Sequence, residues 1–537
     1  MAGSLARASA VMASGTMVSR VLGFAKAMLL VVAIGQVKSV SGDAFANGNL
    51  LPNTLYMILL GGMLNAVLVP QIVKAAKDPD GGAGYINKVL TLVMTALTAV
   101  TALVMLAAPW IVWLFTISWP ADQRGLALAF AYWALPQIIF YGLYTILGEV
   151  LNARSVFGPF TWAPVLNNVI AIAGIVVFIA MYGADNGTRT PDDWTPGAIA
   201  VLAGSATLGV IVQAVVLFIS WRKAGIRYRP DFKWRGMGLG QTGRIAAWSL
   251  ATIVVMQLGG IVTQNVINTA SGAGASALAM QNAWLIFMLP HSVIAVSLAT
   301  AYFTRLAGWG QSGRMTEFLL DFSASARQIL LVMVLASVMI FAAAPFVSRV
   351  FNFTGNPDQI YTFTLVLQCY MVGLAAYSFL FIVQRAFYAL SDTRTPFIFT
   401  SVQIGLLVVL SLCLLVLPKS WIGPAYGLIF GFTTVVQALL AVFLLRKRLG
   451  HIDGSRILAS LLFYTLAGIP ALLIGFGLTL IFGLMFPGYG VFAAVGLAIL
   501  DALVVTAVYI GVLRILKSPD LTELTAFVSR KLGRNRS

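Results

Sequence analysis

Two cations interrupt what is otherwise an apolar helix near the start of the chain. Arg20 and Lys26 stand within Val18-Ser-Arg-Val-Leu-Gly-Phe-Ala-Lys-Ala-Met-Leu-Leu30. A basic side chain at mid-bilayer costs at least about 2.5 to 3.5 kcal/mol on insertion scales, so such residues face a wet cavity or a partner. Six residues apart, the two differ by about 120° around the helix axis, which suits the wall of a broad cavity but not a narrow seam. Ammonium and guanidinium groups bind phosphate strongly in a low-dielectric setting, so a diphosphate or another anionic head group is the chemistry this pair fits. Arg20 has an alternative, snorkelling to the interface from a helix that begins a few residues earlier. Lys26 lies deeper.

Other polar residues fall inside apolar runs. Asp43 begins the next run, where a carboxylate caps the helix or neutralises a cation from the first helix. Asn53 follows Pro52, and with Gly61-Gly62 further on this predicts a bent, locally unwound segment able to flex, or close packing through the glycines. Glu149, Arg385 and Arg349 lie near helix ends and are expected to snorkel. His291, in Leu289-Pro-His-Ser292, is expected to satisfy backbone groups freed by the proline, with proton coupling as the sharper alternative. Asp501, well inside the last apolar run, is expected to bond to a neighbouring helix, with ion coupling as its alternative. No catalytic constellation is expected: the chain has no HExxH, GxSxG or Walker loop and only two histidines. Cys369 and Cys413 have no metal-ligand spacing and read as small buried hydrophobes, so neither metal nor cofactor is expected.

The elements that hold these residues follow from composition. The 537 residues are 60% hydrophobic and 9% charged, with a mean hydropathy of +0.92, whereas soluble domains run near 25% charged. Lipid is therefore the solvent. Apolar runs predict an all-α integral membrane protein with about fourteen transmembrane helices, near 15–35, 43–73, 88–115, 125–151, 159–183, 196–221, 244–270, 275–303, 327–351, 361–390, 396–418, 420–445, 457–486 and 491–515. The start of the chain is read as a short amphipathic lead-in rather than a cleaved signal.

With the N-terminus cytoplasmic, 26 basic residues fall on one side of these helices and only Lys38, Arg124, Arg189 and Lys419 on the other. Positive-inside sorting explains that bias and puts both termini in the cytoplasm. The net charge of +17 then requires no nucleic acid.

The halves of the chain resemble one another. Leu151-Asn-Ala-Arg-Ser-Val-Phe-Gly-Pro-Phe160 matches Phe387-Tyr-Ala-Leu-Ser-Asp-Thr-Arg-Thr-Pro-Phe397 with one insertion, mapping helix four onto helix ten. Two six-helix lobes in parallel repeat are the expected organisation, a transporter architecture: 1–225, 240–446, two further helices over 457–515, and a basic cytoplasmic tail over 516–537.

Taken in order, Ser19-Arg-Val-Leu-Gly-Phe24, Asp43-Ala-Phe with Pro52-Asn53, Val67-Leu-Val-Pro70, Leu151-Asn152 with Ala163-Pro-Val-Leu-Asn167, and Arg385-Ala-Phe-Tyr-Ala389 leading to Asp392-Thr-Arg-Thr-Pro396 resemble the MurJ/MviN lipid II flippases of the multidrug/oligosaccharidyl-lipid/polysaccharide exporter superfamily. The resemblance spans essentially the whole chain. It implies a V-shaped transporter whose cationic central cavity takes the head of lipid II, with a groove for the polyprenyl tail on helices thirteen and fourteen. It also implies alternating access linked to membrane potential or an ion. Arg20 and Asp43 match family residues and Lys26 keeps the charge of a family arginine. Ala27, Tyr56, Met57, Leu285 and Met288 stand where many members carry charge. The phosphate grip is therefore expected to fall on Arg20 and Lys26, with Asn53, Gln281 and Asn282 as polar substitutes.

The expected function is translocation of this lipid-linked cell-wall precursor to the outer leaflet of the bacterial inner membrane. Lipid II, membrane lipids and wall-synthesis or regulatory proteins at the cytoplasmic face are the expected partners. The rivals are a flippase for another polyprenyl-linked glycan, a drug/cation antiporter, and a scaffold that transports nothing.

Overall fold

The computed structural model describes residues 2–58, 82–154, 156, 158–185, 187–223, 228–233, 243–486 and 488–522. In hydrocarbon every backbone N–H and C=O must be satisfied within the chain, and a single segment achieves this only as a helix. The described chain is accordingly helical: α1 (Ala2–Ile34), α2 (Val40–Tyr56), α3 (Ala83–Phe115), α4 (Ala121–Ala134), α5 (Gln137–Ala153), α6 (Gly158–Tyr182), α7 (Pro196–Lys223), α8 (Gly243–Asn268), α9 (Ala277–Pro290), α10 (Val296–Gln311), α11 (Met315–Val350), α12 (Pro357–Met371), α13 (Leu374–Ala389), α14 (Arg394–Cys413), α15 (Lys419–Leu449), α16 (Gly454–Met485) and α17 (Val491–Ile515). Three spans are built from two helices end to end: α4 with α5, α9 with α10, and α12 with α13.

Among the described residues, thirteen spans are long and apolar enough to cross a membrane. Of the fourteen expected helices, the second is described only at its start: α2 ends at Tyr56 and a π turn opens at Met57. The expected continuation to residue 73, Gly61-Gly62, Val67 to Pro70 and most of the basic tail lie outside the described residues. The chain is an all-α, multi-pass membrane protein.

The expected repeat has a structural counterpart. The fourth span breaks between α4 and α5 at Leu135 and Pro136, and the tenth between α12 and α13 at Val372 and Gly373. Each span then closes with the same turn, a backbone bond reaching back five residues: Val156 N to Leu151 O, 2.9 Å, and Asp392 N to Phe387 O, 2.9 Å. Pro136 is a local cause of the first break, because it has no N–H to give the helix. In the second break Gly373 abuts Gly431 of α15, where a Cβ would come within 2.8 Å of the Gly431 Cα, so close helix approach takes the place of proline.

The chain divides into two compact units, Met1–Gly272 with Ser276–Leu278, and Ala273–Ala275 with Ala279–Ser537. This division falls after the seventh span, whereas the expected lobe boundary lay in the linker between 225 and 240. The physical reason is that α8 is tied by side-chain carboxamides to α2 and α3, as set out below. In the first unit α1 packs on α6, α6 on α7, and α2 on α4, around a core that includes Phe45, Phe130, Phe178 and Trp194. In the second, α11 packs on α13, α16 and α17, around Phe318, Phe322, Phe387 and Tyr464.

A buried ion pair closes the second unit. Arg327 of α11 pairs with Asp520, just beyond α17, and the Tyr464 hydroxyl of α16 donates to the same carboxylate.

One close approach in the first unit is at Gly48 of α2, where a Cβ would meet Ala127 O and Phe130 Cβ at 2.8 Å. Gly48→Leu is expected to destabilise the protein by about 1–3 kcal/mol through overpacking, read as a lower thermal midpoint in detergent. Gly125→Ala, with open space at its Cβ, should leave the midpoint unchanged or slightly raised.

Candidate functional site

In the first unit α1 carries both expected cations. Six residues of helix separate Arg20 from Lys26 by about 9 Å along the axis, and both are half-buried. Asn168 of α6 donates to Ser19 O at 2.9 Å, which fixes the register of α1 one residue before Arg20. No carboxylate among the described residues forms an ion pair with Lys26.

Asp43 is fully buried, and its role differs from either expected one. Ser39, not Asp43, caps α2, accepting from the Gly42 amide at 2.9 Å. Among the described residues the Asp43 carboxylate forms no ion pair with a cation of α1. Its oxygens accept from the Ser271 hydroxyl at 2.7 Å and the Leu278 amide at 3.1 Å, so Asp43 holds both ends of the segment that follows α8. Gln123 of α4 donates to Ser271 Oγ at 2.8 Å and extends the network.

Below Asp43 lies a cluster of carboxamides that was not expected from the sequence. Asn47 of α2 and Asn268 of α8 exchange bonds at 3.1 and 3.0 Å, and Gln264 donates to both at 3.2 Å. Asn268 also donates to Phe115 O at 2.8 Å and receives the Trp119 indole N–H on its backbone oxygen at 2.9 Å. Two turns away Gln257 donates to Thr54 O at 3.1 Å. Gln257, Gln264 and Asn268 recur at i, i+7 and i+11, one face of a helix. That spacing of amides in an apolar span was the available signal. Asn53, one residue from the Thr54 contact, is exposed on α2. Tyr56 bonds to Thr145 Oγ1 at 2.6 Å.

In the second unit, Gln281 is half-buried and Asn282 buried. They open α9, whose next turns enter an aromatic cluster: Trp284 stacks on Phe287 at 5.2 Å, Phe287 meets Tyr377 at 5.4 Å, and Trp284 meets Phe430 at 5.5 Å. At Pro290 the helix widens into a π turn, His291–Ala295. Instead of binding freed backbone groups, the His291 Nδ1 bonds to Ser378 Oγ at 2.9 Å, and its ring lies 4.8 Å from that of Tyr377. Arg385 does not simply snorkel: its guanidinium lies over Phe381 at 4.7 Å and Phe303 at 5.4 Å.

A cavity of about 900 Å³ opens within the second unit between α11, α13, α15 and α16. Phe341, Val372, Phe379, Leu439 and Leu461 line it, and Arg446, His451 and Ser455 are among its polar members. The thirteenth span, α16, contributes, but α17 supplies none of the lining residues.

A family model described as "Lipid II flippase MurJ" matches residues 33–498, a stretch that includes α2, both helix breaks and the cavity. The chain belongs to the MurJ family. Among curated members it is 25% identical over 465 residues to a probable lipid II flippase MurJ of Rhizobium tropici, covering 84% of this chain and 82% of that one. Against a lipid II flippase MurJ of Burkholderia cenocepacia it is 27% identical over 459 residues, covering 83% and 84%. Since coverage is high on both sides, the likeness belongs to the whole membrane unit rather than to one segment. A solved lipid II flippase MurJ in an inward closed conformation superposes with a TM-score of 0.70 at 18% identity, covering 94% of this chain and 99% of that one. An inward-facing MATE family transporter of the MOP superfamily follows at 0.64 and 16%, covering 81% and 96%. At such identities these two establish the fold alone.

Asp43→Ala would leave the buried Leu278 amide without its acceptor, a loss of about 1–3 kcal/mol, read as a lowered thermal midpoint. Asp43→Asn keeps one carbonyl oxygen for that amide and should lose distinctly less.

Proposed function

We propose that this chain is a lipid II flippase that moves the lipid-linked precursor from the cytoplasmic to the outer leaflet by alternating access. The observation that carries the reading is the family match over residues 33–498. The polar cluster in the first unit and the apolar cavity in the second support it.

In this reading Arg20 and Lys26 take the diphosphate. The pair fits an extended dianionic group, and Lys26, in no ion pair with a carboxylate among the described residues, is available to a phosphate. Asn53, Gln281 and Asn282 supply neutral hydrogen bonds to the sugar-peptide head, while Asp43 acts as a positioning residue through Ser271 and Leu278. The tail, being hydrocarbon, takes the apolar cavity beside α16, with Arg446 and His451 at its polar members. Access changes through the two weakened helices. α2 carries Pro52 and a π turn at Met57, and α9 carries Pro290 and the π turn after it. A helix whose bonding ladder is already interrupted bends at small cost.

Both termini face the cytoplasm, following the positive-inside bias. Wall-synthesis or regulatory partners would meet the protein on that face, where Arg446, Lys447 and Arg448 end α15. Membrane potential or an ion supplies the drive.

In a strain depleted of its own flippase, Lys26→Ala is expected to abolish growth at normal expression, while Lys26→Arg supports it. Leaflet-specific labelling of lipid II should show cytoplasmic accumulation with the alanine variant and normal distribution with the arginine variant. Full growth of Lys26→Ala would remove this residue from the mechanism. An unchanged lipid II distribution on depletion of the wild-type protein would point to another exported lipid or to a scaffold.

A further inference from the structure

Asp501 sits near the middle of α17, a helix whose one other charged residue is Arg514 in its last turn. The residue is completely buried. Neither carboxyl oxygen has a hydrogen-bond partner among the described residues, so the expectation that it bonds to a neighbouring helix does not hold. Its seat is shaped for it by Gly475 of α16. A Cβ added at Gly475 would lie 3.2 Å from the Asp501 Oδ1, 2.9 Å from Ala342 Cβ of α11 and 2.5 Å from Val505 Cγ2. The carboxyl therefore occupies a notch left by an absent side chain where three helices meet.

The charged and titratable groups on these helices are all engaged elsewhere or distant. On α11, Arg349 lies about 10 Å of helical rise beyond Ala342 and donates to Tyr489 O, Asn352 O and Phe353 O. Arg327 pairs with Asp520, while Asp321 pairs with Arg305 and Glu317 with Arg314. On α16 the basic residue is Arg456, in the first turn, and Tyr464 bonds to Asp520. On α17, Tyr509 donates to Leu331 O. The nearest hydroxyl along α16, Thr479, is spent on Ala342 O at 3.1 Å. Among the described residues no group of side chains suits a metal ion.

An ionised carboxylate without partners in hydrocarbon is untenable, and such groups neutralise instead. An aliphatic side chain would fill the same notch at lower cost, so what distinguishes a carboxyl there is the proton it can hold. We propose that Asp501 is a proton-binding site in the seam of α11, α16 and α17. The closed seam holds the neutral acid, and separation of α17 from its neighbours admits water and releases the proton from the carboxyl oxygen to that water. By mass action, low pH favours the closed seam and high pH the open one. The site is separate from the residues assigned to the diphosphate and does not depend on which lipid is carried.

The test is infrared titration of the full chain in lipid nanodiscs, with ¹³C-labelled aspartate to assign the bands, alongside amide hydrogen exchange. The expected result is a protonated-aspartate carbonyl band at neutral pH that shifts with the label and is lost in Asp501→Asn. Raising the pH should remove the band and, relative to intrinsic exchange rates, speed exchange along α16 and α17 in the wild type but not in the asparagine variant. Absence of a protonated-aspartate band at neutral pH overturns the proposal without needing any variant. So does a band that persists in Asp501→Asn, or exchange with the same pH dependence in both proteins. None of these readouts measures transport, so failure here is distinguishable from failure of the flippase reading.

Discussion

Hydrocarbon offers no partner to an amide, a carboxylate or a guanidinium, and each polar group of this protein is placed by that deficit. Helices satisfy the backbone of every described span, but they leave side chains and helix ends to be settled individually. Asp43 is settled by a hydroxyl and an amide from the segment after α8, Arg349 by three backbone carbonyls, and Arg327 by Asp520. The carboxamides solve the problem collectively: Asn47 and Asn268 each accept what the other donates, and both accept from Gln264. Such a network binds α8 to α2 more firmly than apolar contact would, since lipid tails compete with leucine but not with a carboxamide.

The same constraint explains why the repeat shows in helix interruptions more than in sequence. An interruption needs only that backbone groups be re-satisfied, and several chemistries achieve this. The break in the fourth span uses a proline and the corresponding break in the tenth uses paired glycines, so the shared geometry survives almost complete change of residue. The closing turns keep their five-residue backbone bond while Arg154 is replaced by Leu390 at the cap. Matching letters, by contrast, is confined to a dozen positions around Pro159 and Pro396.

Much of the fold could be read from the sequence because hydropathy and the cost of charge act locally. The positions of the spans, the relation of helix four to helix ten and the two cations of α1 all followed from runs of neighbouring residues. What could not be read depends on partners far along the chain. Asp43 meets residues more than two hundred positions away, and nothing near it announces Ser271 or Leu278. The cap is Ser39, four residues before Asp43, because its hydroxyl oxygen is the one that reaches the Gly42 amide. His291 was correctly placed beside a proline break, but its bond to Ser378 required a packed tenth span. The cavity is beyond sequence for a further reason: it is bounded by what four helices fail to fill, and a void has no residues of its own.

The ion pair of Arg327 with Asp520 has a consequence for how the molecule is made. Ribosomes deliver α11 to the membrane long before they deliver Asp520, so for the interval in which α12 to α17 are being inserted the guanidinium of Arg327 has no counterion. The second unit is therefore synthesised with a debt of charge that only its final described residues settle, together with the hydroxyl of Tyr464. A nascent chain arrested before Asp520 lacks the counterion that the packed seam gives Arg327.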